Sequence, residues 1–286
     1  MDSQNDNYLE NRKNIYSQNG EDGVLEILLN NMNISENGKC CEFGAWDGKH
    51  FSNTYRLVKE NMYKALYIES DKDKFEDLLK TRDEHPDQIT PVCAYVSNNL
   101  DDLLKEHGFF DDLDILSIDI DSSDYEVWKE SKCMPKIVII EPDNNVPLWI
   151  KTPIYPVRAD GGANPFILKE LAKEKGYKFV CTTGNLIFVR NDINVPSQTD
   201  VEFPWWLDQN YKNIIYFFAN NARAIPEEIL ICIKGVKLGC GFETDSEELK
   251  SLILFLTNFD NNTLDNIFEE IPKYIKGSML GYKSLI

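Results

Sequence analysis

The 286-residue chain is 42% hydrophobic, with 15 Phe, 13 Tyr and 5 Trp, enough to bury a core in one large domain or one domain plus an appendage. Its formal charge of −18 argues against wrapping nucleic acid, because neutralising phosphates needs clustered Lys and Arg. No apolar run approaches membrane-spanning length, the polar start lacks a signal-peptide core, and seven scattered cysteines without a Cys-x-x-Cys pair speak against a disulfide framework or a structural zinc site, so a cytoplasmic protein without a membrane partner is expected.

In chain order, YSQNGEDG (from Tyr16) runs into the amphipathic VLEILLN, a helix start at which Glu21 and Asp22 suit the positive amino-terminal dipole. KCCEF (from Lys39) reads as the first strand, with Cys40 and Cys41 acting as small hydrophobes. It opens into CCEFGAWDGKHFSNT, where Glu42, Gly44 and Gly48 form an acid-x-Gly-x-x-x-Gly turn, the glycines letting backbone approach a ligand closely. A dinucleotide fingerprint would place Gly-x-Gly-x-x-Gly here, with helix amides facing pyrophosphate. This turn has another spacing and carries Trp46 and Asp47. The acids Glu42 and Asp47 instead suit a ligand bearing an ammonium and a sulfonium, which describes S-adenosylmethionine.

The pattern SNTYRLVKENM is helical, and ALYIE (from Ala65) is a second strand ending in Glu69, placed to accept hydrogen bonds from both hydroxyls of a ribose, as NAD enzymes also do. After the helical DKFEDLLKTRD and the strand ITPVCAYV (from Ile89), Ser97 and Asn98 either meet an adenine edge or cap the next helix, LDDLLKEHG. LDILSID (from Leu113) then breaks into Asp119, Asp121 and Asp124, the last opening the helix SDYEVWKESK with Tyr125 and Trp128 packed. KIVIIE (from Lys136) ends in Glu141, followed by Asp143 and Asn144.

The alternation predicts a parallel sheet with helices on both faces. Carboxylates that would be costly in the core stand at the carboxyl ends of its strands, where open α/β sheets bind ligands near the switch in strand order. His85 and His107 fall in a loop and at a helix end; His50 alone falls near that edge. KTPIYPVRADGGANPF is a lid candidate, with Arg158 available to an anionic acceptor, and YKFVCTTGNLIFVRND (from Tyr177) reads as a hairpin turning at Gly184 and Asn185. Past Asn191 the composition shifts, giving a domain over 1–191 and a mainly helical extension over 192–286. Trp205, Trp206, Tyr211, Tyr216, Phe217 and Phe218 of that extension pack it onto the main domain, line an acceptor pocket or form a homo-oligomer face.

Four ordered blocks, YSQNGEDGVLEILL, CEFGAWDGKHFSNT, YIESD and DILSIDIDSSDYEVW, resemble the FkbM-like class I S-adenosylmethionine-dependent methyltransferases, over roughly Asn14 to Arg190. The resemblance implies a Rossmann-like, mostly parallel sheet ending in an antiparallel hairpin. It implies that Gln18, Glu21 and Asp22 fold over the methionine end of the cofactor or the acceptor pocket. Glu42, Gly44, Ala45, Asp47, Gly48, Asn53, Glu69, Ser70, Ser97, Asn98 and Asp119 complete the expected cofactor set.

By similarity to metal-dependent catechol-type and macrolide-sugar methyltransferases, Asp119, Asp121 and Glu141 stand where a metal would sit. Mg²⁺ suits such an oxygen set and would lower the pKa of an acceptor hydroxyl. Without metal, Asp119 or Asp121 becomes the general base and Glu141 orients the acceptor. Both readings remain open at this point, and Pro142 and Asp143 depart from the family's pattern after the fifth strand. The leading reading is O-methylation of a small polar metabolite or glycan-linked precursor. Its rivals are a nucleotide-sugar glycosyltransferase, with Asp119-Ile120-Asp121 as an Asp-x-Asp metal motif, and a noncatalytic module that keeps the fold.

Overall fold

The computed structural model describes residues 8–120, 123–142, 163 and 165–195; Asp121, Asp143, Asn144, Arg158 and the aromatic residues of the extension lie outside the described residues. Seven strands, β1 (Lys39–Phe43), β2 (Lys64–Glu69), β3 (Ile89–Cys93), β4 (Ile115–Ile118), β5 (Ile137–Ile140), β6 (Tyr177–Thr182) and β7 (Leu186–Arg190), form one sheet in the order β3-β2-β1-β4-β5-β7-β6. Strands β1 to β5 pair in parallel, and β7 runs antiparallel to both of its neighbours. Helix α1 (Glu21–Asn31) precedes β1, and α2 (Tyr55–Asn61), α3 (Lys72–Glu84), α4 (Leu100–Glu106), α5 (Asp124–Glu130) and α6 (Pro165–Glu174) occupy connections between strands. This is the Rossmann-like arrangement with a terminal hairpin that the sequence predicts.

Every residue of β4 (ILSI) and β5 (IVII) is buried, and successive side chains of a strand point to opposite faces, so both faces are covered at the sheet's centre. Branched apolar side chains fit such positions because they pack on a pleated surface from both sides. Cys40 and Cys41 are fully buried in β1, where loss of hydration pushes both thiols up, and neither is in a disulfide. They are packing residues, as expected. No helix among the described residues is long and apolar enough to cross a membrane.

Two strands are shorter than their apolar runs. β3 ends at Cys93, its last ladder bond running from Ala94 N–H to the Glu69 carbonyl (3.1 Å), and Pro91 is tolerated because β3 is an edge strand paired only with β2. β4 begins after Asp114, whose carboxylate accepts from Lys39 N–H (2.9 Å) and from the Lys136 ammonium, pinning the amino ends of three neighbouring strands. At the opposite, carboxyl edge, β1 lies between β2 and β4, so the strand order reverses there. A crevice opens at this reversal.

Candidate functional site

The crevice is a cleft of about 310 Å³ walled by the ends of β1, β2 and β4 and by the segment after β3. Its first wall is the turn after β1. Gly44 and Ala45 donate their N–H groups to the Ile68 carbonyl (3.1 and 3.2 Å), which carries the chain across the end of β2. Trp46 follows in a left-handed conformation (φ 48°) and donates its N–H to Glu69 Oε2 (2.9 Å). Glu69 Oε1 accepts from Asp71 N–H (2.8 Å), so a buried carboxylate is clamped from both sides by backbone at the cleft wall. Ser70 lines the wall beside it. Asp71 then caps α3, accepting from the N–H groups of Asp73 (2.9 Å) and Lys74 (3.1 Å).

Glu42 also reaches the cleft, but its oxygens are committed to the loop that leads into α2. Oε1 accepts from Asn53 N–H (3.1 Å); Oε2 accepts from Ser52 Oγ (2.9 Å), Thr54 N–H (3.1 Å) and Thr54 Oγ1 (2.5 Å). Burial pushes the Glu42 carboxyl up; the Thr54 and Ser52 hydroxyls and the Asn53 amide pull against this, and the Asp119 charge adds to it. The Asn53 amide points away, to Ser117 Oγ (3.0 Å). Asn53 is therefore a brace between α2 and β4 and is not among the cleft residues.

Several residues expected to meet the cofactor stand away from the cleft. Glu21 and Asp22 are buried inside the fold and do not line the cleft. Asp22 Oδ2 collects the successive N–H groups of Ile15, Tyr16 and Ser17 (each 2.8 Å) and Ser17 Oγ (2.9 Å). Glu21 accepts from Asn19 N–H (2.9 Å) and from Thr183 Oγ1 (2.6 Å) in the β6–β7 turn. Both acids fold the YSQNGEDG segment, and the residue that this presents to the cleft is Gln18. Gly48 (φ 72°) meets Tyr67 and Leu78, with no ligand space on that side. Ser97 and Asn98 stand outside the cleft, where Ser97 N–H bonds Asn99 Oδ1 (2.8 Å); Ala94, Tyr95 and Val96 line it instead.

The acids after β4 and β5 separate. Asp119 lines the cleft, whereas Glu141 is exposed and outside it, its N–H bonded to the Ile118 carbonyl (3.1 Å). Among the described residues no three His, Cys, Asp or Glu side chains converge as a metal site. Asp121 lies outside those residues, so the expected Mg²⁺ set is incomplete among them.

Asp47 lies off the cleft too. Its Oδ1 accepts from the N–H groups of Lys49 (2.9 Å) and His50 (2.8 Å), and its Oδ2 meets His50 Nδ1 at 2.5 Å. The rim holds aromatic residues that strand and helix periodicity passes over. Trp46, Phe51 and Tyr95 are all exposed at the cleft, and Phe51 shares the left-handed backbone of Trp46 (φ 58°). Lys74 stands 5.6 Å from the centre of the Trp46 ring. The sequence signal was the bulky pair Trp46 and Phe51 on either side of the segment Asp47–His50, a turn region where small residues are the usual occupants.

No family model and no curated protein matches the chain. Similar solved structures include TrmK of M. capricolum in complex with S-adenosylhomocysteine (14% identity, 87% of this chain and 96% of that chain covered, TM-score 0.40). A Streptococcus pneumoniae protein provisionally assigned as a tRNA (m1A22) methyltransferase is 10% identical over 86% of this chain and 97% of that chain, with TM-score 0.38. The [4+2]-cyclase SpnF is 10% identical over 59% of this chain and 64% of that chain, with TM-score 0.40. Likeness at this level bears on neither activity nor acceptor.

Proposed function

We propose that the chain is an S-adenosylmethionine-dependent methyltransferase of the FkbM-like kind, acting in the cytoplasm on an oxygen of a small polar metabolite or glycan-linked precursor. The observation that carries this reading is Glu69: a carboxylate buried at the end of β2, held by Trp46 and Asp71 N–H groups and open to the cleft. Each of its oxygens retains acceptor capacity beyond the one bond it makes to backbone, which suits a ribose diol.

The start of α2 argues against a phosphate-bearing cofactor. In dinucleotide sites the amides at a helix amino terminus face pyrophosphate. Here the Asn53 and Thr54 amides bond to Glu42, and the Tyr55 amide bonds to Ser52 Oγ (3.0 Å). A carboxylate of the protein itself already fills the anion position. The same argument weighs against a nucleotide-sugar glycosyltransferase.

S-adenosylmethionine, when bound, supplies an electrophilic methyl group on sulfonium. The protein's part is to hold and orient: Glu69 fixes the ribose, Gly44 and Ala45 form the wall against which the methionine part lies, and Asp119 accepts hydrogen bonds from polar groups of the acceptor. A small cleft lined by Glu42, Glu69 and Asp119 favours uncharged or cationic polar acceptors over phosphate-rich ones.

The test is calorimetric titration with S-adenosylmethionine and S-adenosylhomocysteine, beside a Glu69→Ala variant. Micromolar binding to the parent and a loss of at least about tenfold in the variant support the assignment, since hydrogen bonds to a charged partner contribute about 1.5–3 kcal/mol. Absence of binding to the parent protein removes it.

A further inference from the structure

The Asp47–His50 contact is not used by cofactor binding, yet it has the form of a base and its orienting acid. His50 Nδ1 lies 2.5 Å from Asp47 Oδ2; the ring is 71% exposed and lines the cleft, while the Asp47 side chain is only 16% exposed. Asp47 is itself immobilised, because its other oxygen accepts the Lys49 and His50 N–H groups. An ionised carboxylate can only accept hydrogen bonds, so in the neutral ring the nitrogen facing it carries the proton and Nε2 is the bare one. Nε2 has no partner among the described residues.

We propose that His50 takes the proton from the acceptor hydroxyl and that Asp47 is the residue that positions it, an assignment that rests on the methyltransferase reading above. The O–H proton passes to Nε2 as an oxygen lone pair forms the new O–CH₃ bond. The S–CH₃ bond breaks with its electron pair returning to sulfur. The positive charge lost from sulfonium then resides on the imidazolium, beside the Asp47 carboxylate. Asp47 is suited to that charge: burial raises its carboxyl, but the His50 ring and the two backbone N–H groups outweigh it and hold the group below the ordinary carboxylate value.

Among the described residues, five other charged groups bear on the ring. Lys49, next to it in sequence, is drawn away to Glu84 on α3 (2.8 Å). Lys74 of α3 shares the cleft wall over Trp46, whose ring centre is 6.4 Å from that of His50. Glu42, Glu69 and Asp119 line the same cleft and favour a cation there. Nε2 thus stands at the mouth of the cleft, where an acceptor hydroxyl would lie.

Long-range ¹H–¹⁵N spectra of the histidine rings test this directly, because the chain has only 3 His. His50 is assigned by the loss of its signals in His50→Gln, and the spectra are recorded about two pH units above the ordinary histidine pKa. The expected result is the Nδ1–H tautomer for His50 in the parent protein, a return toward Nε2–H in Asp47→Asn, and movement of the His50 signals when S-adenosylhomocysteine is added. An Nε2–H tautomer in the parent overturns the proposal even if Asp47→Asn does not fold. So does calorimetric binding of S-adenosylhomocysteine that leaves His50 unmoved. No heat of binding in the parent removes the methyltransferase reading first and this assignment with it, whereas heat with the wrong tautomer removes the base alone.

Discussion

Gly44 at the end of β1 and Asp119 at the end of β4 are in backbone contact: a Cβ placed on Gly44 would lie 1.8 Å from the Asp119 carbonyl oxygen. The glycine is demanded by the neighbouring strand as well as by its φ of 74°, and not by a ligand alone. Gly108 supplies the control, since it has the same φ of 74° with nothing within 4 Å of its Cβ position. Gly108→Ala is expected to cost about 1 kcal/mol from backbone strain. Gly44→Ala is expected to exceed it by roughly 1–3 kcal/mol and to weaken S-adenosylhomocysteine binding, because β1 and β4 must separate at the cleft. Urea unfolding midpoints of the two variants make the comparison; equal midpoints would show that the contact relaxes freely.

Asp22 is expected to be a stability residue with an indirect effect on the cleft. Asp22→Ala leaves three buried or half-buried N–H groups and the Ser17 hydroxyl without their acceptor. Each orphaned donor costs about 1–3 kcal/mol where water cannot reach it, so a loss of at least about 3 kcal/mol is expected. Asp22→Asn keeps one acceptor oxygen and is expected to lose about half as much. Hydrogen exchange at Ile15, Tyr16 and Ser17 provides the check: protection should fall in the order parent, Asn, Ala.

Asp71 links helix capping to the cleft, since its side chain caps α3 while its N–H holds Glu69. Asp71→Ala removes only the side-chain part. The expected cost is about 1 kcal/mol of stability, with S-adenosylhomocysteine affinity changed less than about threefold. A larger loss of affinity than of stability in the same variant would show that the cap, and not the backbone, sets the Glu69 carboxylate.

Much of the sheet was legible because its signals are local. KCCEF is β1 residue for residue, and the acids that close ALYIE and LDILSID stand where the apolar runs end. Glu69 and Asp119 could be placed at the cleft for that reason. Glu21 and Asp22 could not, because their partners are backbone groups of a non-periodic loop and a hairpin turn 162 residues away in the case of Thr183. The Asp47–His50 pair was hidden for another reason. Acid and histidine three residues apart face each other here in a turn bounded by two left-handed residues, Trp46 and Phe51, and no periodicity encodes that.

Glu42 offers a test in which the sign of a pH dependence decides. Its folded carboxyl lies above the ordinary value of 4.5, burial being the largest cause. The folded state therefore holds this proton more tightly than the unfolded chain does. Below about pH 4.5 both states are protonated and the contribution of Glu42 to stability is fully present. As pH rises through the folded value, that contribution is lost, because the folded state must release the proton at greater cost. Glu42→Gln does not titrate, so the difference in unfolding free energy between parent and variant is expected to be greatest at acid pH, to shrink as pH rises from about 4.5, and to level off beyond the folded value. Urea titrations at several pH values measure it. A difference that grows with pH would mean that the Thr54 and Ser52 hydroxyls and the Asn53 amide outweigh burial.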